Sequence, residues 1–201
     1  IIKKANKDMV LSPEELVQVH NTVSGFKSLK KFFQNIIDQE DPALIENRYQ
    51  IITEIGMKIK LLTGLEKEIN RCLDEQGHIK NDASSKLKSI RKQIQDIENQ
   101  IRSSLENIIR GKKYQNMLQE SLITKRENRY VVPVKHEYRN TFKGIVHDQS
   151  SSGMTIFMEP MTVVELNNKL REVKKEEEAE IERILQKLTY SVQGQSSLIK
   201  S

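Results

Sequence analysis

Four histidines, 28 carboxylates and one cysteine are the raw material for catalysis in this chain, and their spacing assembles little of it. His136 stands beside Glu137 and His147 beside Asp148, a pairing that acid–base or metal chemistry could use. Adjacent residues on a strand point to opposite faces, however, so the two histidines read as loop or surface residues. The run Asp148-Gln149-Ser150-Ser151-Ser152-Gly153 offers hydroxyls but has no GxSxG frame and no base at a recognisable spacing. It reads as a turn, with Gly153 free to take a positive φ. None of the eight glycines has the GxxxxGK[ST] spacing of a phosphate loop, and no CxxC or HxxxH metal set exists. No catalytic, cofactor-binding or metal residue is assigned.

Positive charge is the feature with a place. Between Lys112 and His147 stand eight Lys/Arg against three Glu, which accounts for the whole net charge of +5. Lys112, Lys113, Lys125, Arg126, Arg129, Lys135, Arg139 and Lys143 are the candidate nucleic-acid-binding residues, because a basic surface is the footprint of phosphate recognition. An ordinary solvated face fits the same residues equally well. Tyr130, Tyr138 and Phe142 lie among them. They would either stack on exposed bases or pack into a core, the commoner fate of strand aromatics.

A sheet must position these cations. Tyr130, Val132 and Val134 alternate with Val131, Pro133 and Lys135, the period of a strand. Phe142 to His147 and Met154 to Met158 read as two more strands. Ser121 to Lys125 reads as a further one, folded back through Arg126-Glu127-Asn128. Pro133 cannot donate to a ladder, so its strand is expected at an edge or with a bulge. Glu159-Pro160 closes the sheet, and Thr162 with Glu165 has capping-box spacing.

Everything else reads as helix. Ser12, Pro13 and Glu15 make a strong helix start, followed by an apolar stripe of Leu16, Val19, Val23, Phe26, Leu29, Phe33 and Ile36. Asp41-Pro42 is the expected stop. A second helix is expected from Ala43, carrying Leu44, Ile45, Ile52 and Ile55, weakened at Gly56 and broken near Thr63-Gly64. Gly77 reads as a turn and Ser84 or Ser85 as the next cap. Leu87, Ile90, Ile94, Ile97, Ile101, Leu105 and Ile108 then form a nearly heptad stripe, about 40 Å long at the helical rise. After the sheet, Val163, Leu166, Leu170, Val173, Ile181, Ile184, Leu188 and Val192 mark a returning helix. Its middle, Lys174 to Glu180, is read as a solvated rod stiffened by pairs along the helix, such as Glu178 with Arg183. Asn167-Asn168 inside this helix is odd on propensity grounds and reads as a structural hydrogen bond or a partner contact.

The expected fold is mainly α. A helical core (1–84) leads into an ascending lever helix (85–118), a small antiparallel β-sheet inserted as a clamp-like region (119–160), and a returning lever helix (161–201). A composition of 36% apolar and 30% charged residues, with five Tyr, five Phe and no Trp, suits long helices better than a dense globule. Cys72, flanked by Ile69 and Leu73, is expected to be buried, and a single cysteine fits a reducing cytoplasm. No apolar run reaches the length of a membrane span. The sequence opens on Ile-Ile-Lys-Lys without Met and stops in a helical pattern, so it reads as a piece of a longer protein.

Three blocks in order, RYVVPVK (129–135), GIVHDQSSSGMTIFMEP (144–160) and VVELNNKLR (163–171), resemble the bacterial MutS family in its second-paralogue branch, the recombination-suppressing endonucleases. The block DEQGHIKNDASSKL (74–87) is similar too, and the resemblance extends over nearly the whole chain. It departs at Glu127-Asn128, where glycine is usual. The resemblance implies a core, lever and clamp-like region of a dimeric ATPase and endonuclease that binds branched or double-stranded DNA and acts on collided ribosomes. ATP and magnesium belong to the parent protein, in an ATPase domain that this branch follows with a small Smr nuclease domain; neither domain is in this sequence, and no cofactor is expected in this chain. The competing reading is a coiled-coil scaffold or protein-interaction arm with no nucleic-acid contact.

Overall fold

A computed structural model of the chain describes residues 1–39 and 50–200. In chain order its helices are α1 (Ile2–Ala5), α2 (Pro13–Gln39), α3 (Gln50–Lys58), α4 (Thr63–Cys72), α5 (Ser85–Arg110) and α6 (Lys112–Gln115). Four strands follow, β1 (Thr124–Arg126), β2 (Arg129–Lys135), β3 (Gly144–Gln149) and β4 (Thr155–Pro160), and then α7 (Val164–Gly194) and α8 (Ser196–Lys200). Among the described residues the chain is mainly α, with a four-stranded antiparallel sheet between two long helices. It forms two compact units, Ile1–Leu87 with Glu180–Ser201, and Lys88–Ala179.

The first unit is helical. The expected capping box closes α2: Ser12 N–H donates to Glu15 Oε2 at 2.8 Å, and Glu15 N–H donates back to Ser12 Oγ at 3.3 Å. Leu16, Val19 and Val23 bury their side chains against Leu65, Ile69, Leu73, Ile184 and Leu188. Beyond Val23 the stripe loses its cover, and Leu29 is exposed. On α3 the expected face is reversed. Ile52 and Ile55 point outward while Thr53 and Gly56 are buried. Gly56 lies so close against the Phe33 ring that a Cβ there would collide with it, so this glycine is a contact and not a weak point. Asp41-Pro42, Ala43, Leu44 and Ile45 fall outside the described residues. The break expected at Thr63-Gly64 lies just before them, since Thr63 already opens α4. Cys72 is buried, as expected, and burial pushes its thiol up. Gly77 holds a positive φ in its turn, and Ser84 Oγ accepts from Leu87 N–H at 2.9 Å to cap α5.

The second unit stacks the sheet on α5 and α7. Strand order is β1-β2-β4-β3, every pair antiparallel. Tyr130, Val132, Val134, Ile156 and Met158 form one core with Ile97, Ile101 and Leu105 of α5 and Leu170 and Val173 of α7. The two helices run antiparallel, because pairs rise along one as they fall along the other: Arg91 with Glu177 at 2.7 Å and Glu98 with Lys174 at 3.6 Å. These carboxylates and cations meet across the helices. The solvated-rod reading also fails at Glu180, which is fully buried in the first unit and bonds Ser84 Oγ and Arg183.

Three details of the sheet differ from expectation. Pro133 sits on an internal strand. The Pro133 carbonyl accepts from Gln119 N–H and Lys135 N–H donates to Met117, so the side of β2 lacking an N–H faces a short bridge beyond the end of β1, not β4. The bulge falls on β3 instead, at His147 between Val146 and Asp148. The chain reaches α7 through a 3₁₀ turn, Met161–Val163, which has no side-chain cap, in place of the Thr162–Glu165 box.

Candidate nucleic-acid interface

The β1–β2 hairpin decides where the basic residues point. Its turn is Glu127-Asn128, both at positive φ (48° and 62°), the geometry of a two-residue type I′ turn. Register then pairs Arg126 with Arg129 and Lys125 with Tyr130, and cross-strand partners share a face. Lys125 therefore lies with Tyr130 on the helix-facing side. Its Nζ stands 4.3 Å from the Tyr130 ring centre and 3.4 Å from Glu98. Burial alone would lower the Lys125 ammonium, but its neighbours Tyr130 and Glu98 outweigh it and hold it above the ordinary lysine value. Arg126, Arg129 and Lys135 take the other face, with Phe157 and Glu159.

Arg129 is committed to the fold. Its Nη1 donates to both oxygens of the fully buried Glu159, at 2.8 and 3.0 Å, and its Nη2 to Asn168 Oδ1 at 2.6 Å. Glu159 also takes Asn167 Nδ2 at 2.8 Å and His147 Nε2 at 2.6 Å. His147, at the bulge in β3, is largely covered and bonds Glu159, so it is not the loop or surface residue expected. Asn167 closes the network on the backbone, accepting from Tyr130 N–H at 3.1 Å and donating to Tyr130 O at 3.2 Å.

The other cations divide by partner. Arg126 pairs with Asp148 at 2.8 Å and lies 3.8 Å over the Phe157 ring. Lys135 donates to Asn116 O, and Lys113 sits 5.4 Å over Tyr114. Lys112, Arg139 and Lys143 are exposed and have no acidic partner among the described residues. Tyr114 and Phe142 meet edge to face, 5.7 Å between ring centres. That contact holds α6 against the loop before β3, bringing the segments that carry Lys112, Lys113, Arg139 and Lys143 together. Tyr130 and Phe142 are core residues and Tyr138 packs partly against the same core, so none of the three is a free stacking platform. Among the described residues no cluster of His, Cys, Asp and Glu could hold a metal, and no helix is long and apolar enough to cross a membrane.

No protein-family model matches the chain. Relatives do. Over 195 residues, 96% of its length, it is 52% identical to the Endonuclease MutS2 of Halothermothrix orenii. It is 44% identical to that of Halalkalibacterium halodurans over 95% of its length, and 43% to that of Bacillus cereus over all of it. The chain belongs to the MutS2 family. It spans about a quarter of the length of the curated relatives it matches, 24–25% of each.

For this MutS2-family chain, four residues outside the sequence-derived list shape the site: Glu159, His147, Asn167 and Phe157. Only Asn167 carried a signal, as a poor helix former inside a helix. The contact of His147 with Glu159 joins two strands 12 positions apart, so it was not readable. The arrangement separates two kinds of cation, one paired within the fold and one exposed without an acidic partner among the described residues.

Proposed function

We propose that this chain is the nucleic-acid-gripping region of a dimeric MutS-type ATPase and endonuclease that suppresses homologous recombination and acts on collided ribosomes. ATP and magnesium would act elsewhere in that parent protein, in the cytoplasm. The observation that carries the reading is the group of four exposed cations, Lys112, Lys113, Arg139 and Lys143, on segments joined by the Tyr114–Phe142 contact and without a carboxylate partner among the described residues. Phosphate contacts need uncompensated charge on a surface, and a held surface keeps the ordering cost low.

The name of the relatives, Endonuclease MutS2, is consistent with a nucleic-acid partner. The phosphate backbone is common to branched DNA and ribosomal RNA, and either would be met by the same lysines. A scaffold arm remains the second reading, favoured by one observation: Lys125, Arg126 and Arg129 are already paired with carboxylates.

The test is affinity of the full chain for a four-way DNA junction and for a structured RNA across a salt series. With about four phosphate contacts, the log–log slope should lie near −3 to −4. Weak binding that ignores salt would leave the scaffold.

A further inference from the structure

We propose that Arg126, stacked on Phe157, is a shelf for an unpaired nucleobase. This rests on the nucleic-acid reading above and adds the class of structure recognised: strands with an unstacked base, as at gaps and branch points.

The guanidinium carbon of Arg126 lies over the Phe157 ring, 3.8 Å from its centre. Its plane is locked from the sides. Nε donates to Asp148 Oδ2 at 2.8 Å, and Nη1 donates to Lys125 O at 2.9 Å and to Thr124 Oγ1 at 3.3 Å. Even so, 35% of the side chain is exposed. Phe157 belongs to the outer side of the sheet. Its neighbours Ile156 and Met158 are buried in the core shared with the helices, and Phe157 is not among them.

This geometry suits a base better than a phosphate. Asp148 already neutralises the charge of Arg126, so little attraction is left for a second anion at the surface. What remains is a flat, weakly hydrated, immobilised π surface backed by an aromatic ring, and bases stack on such guanidinium planes. A stacked duplex buries its base faces; an unpaired base offers one. The lysines that read phosphate do not share this property, because an ammonium has no plane.

The experiment uses the full chain with two probes of equal length, a continuous DNA duplex and a duplex carrying a gap with 2-aminopurine at the unpaired position. Stacking quenches 2-aminopurine. The chain should quench the gapped probe and bind it on the order of tenfold more tightly than the continuous one. In Arg126→Lys, which keeps the charge and loses the plane, the preference should fall toward one and the quench should disappear. Phe157→Leu, which keeps apolar bulk and removes the ring behind the guanidinium, should act the same way; circular dichroism confirms that each variant is folded. A preference and quench that survive both substitutions overturn the shelf. Tight, salt-dependent binding of both probes without preference overturns it too and leaves the phosphate grip standing. Failure to bind either probe removes both.

Discussion

Asn167 does with one amide what a strand would otherwise do. Extending the β2–β4 register from Val132–Met158 by two places sets Pro160 opposite Tyr130, and proline has no N–H to give. The amide of Asn167 takes over, bonding both Tyr130 N–H and Tyr130 O and reaching Glu159 with its second donor hydrogen. Asn167→Ala should therefore leave two backbone groups unpaired in a buried site and cost about 2–4 kcal/mol, measured by urea denaturation. Asn167→Asp keeps the acceptor but places a second carboxylate beside Glu159. It should destabilise at least as much, and Glu159→Gln in the same chain should recover part of the loss. Equal stability of wild type and Asn167→Ala would remove the amide from the account. The sequence marked this residue as odd for a helix and could go no further, since its partner lies 37 positions away. His147 was expected in a loop or at the surface; it lies largely covered beside the bulge in β3 and bonds Glu159 on the neighbouring strand.

The long helices were the most legible elements, because a stripe at three–four spacing can be buried in one way only. Ile97, Ile101 and Leu105 lie where that stripe put them. Ile97→Asp should cost several kcal/mol, as an unpaired charge would face apolar neighbours; an unchanged melting temperature would deny the burial. The helices α2 and α3 were less legible. Their apolar residues exceed what their partners cover, so Ile52 and Ile55 remain outside while Gly56 supplies the close approach. Glu180 is the second element-scale surprise. The hydrogen bond from Arg183 is the largest influence on it, and, with Ser84 and Lys86, outweighs burial to hold the carboxyl at about 2 against an ordinary 4.5. A carboxyl depressed in the folded state adds stability that is present above pH 4.5 and lost as pH falls toward 2. Denaturation midpoints measured from pH 6 to pH 2.5 should fall more steeply for wild type than for Glu180→Gln. Parallel curves would mean that Glu180 does not hold the start of α5.

At the scale of the molecule, the sequence located the excess charge correctly but treated eight cations as one group. Alternation along β1 and β2 splits them between two faces, and pairing splits them again: Arg129 is bound into a buried network while Lys112, Arg139 and Lys143 stand free of carboxylates among the described residues. Family membership was legible because three sequence blocks keep their order. The polar network was not, because it joins β2, β3, β4 and α7 through contacts no local pattern encodes. The central claim is that holding the fold and gripping phosphate are tasks of different cations. Two variants separate them most directly: Arg129→Gln, and the fourfold change of Lys112, Lys113, Arg139 and Lys143 to Ala. Melting temperature and four-way-junction affinity from 50 to 200 mM salt should be measured on both. Arg129→Gln should lose about 3 kcal/mol of stability, the scale of a broken buried pair, and keep the wild-type salt slope below its melting point. The fourfold variant should keep its melting temperature and lose most of the slope. A fourfold variant that binds with the wild-type slope would contradict the account.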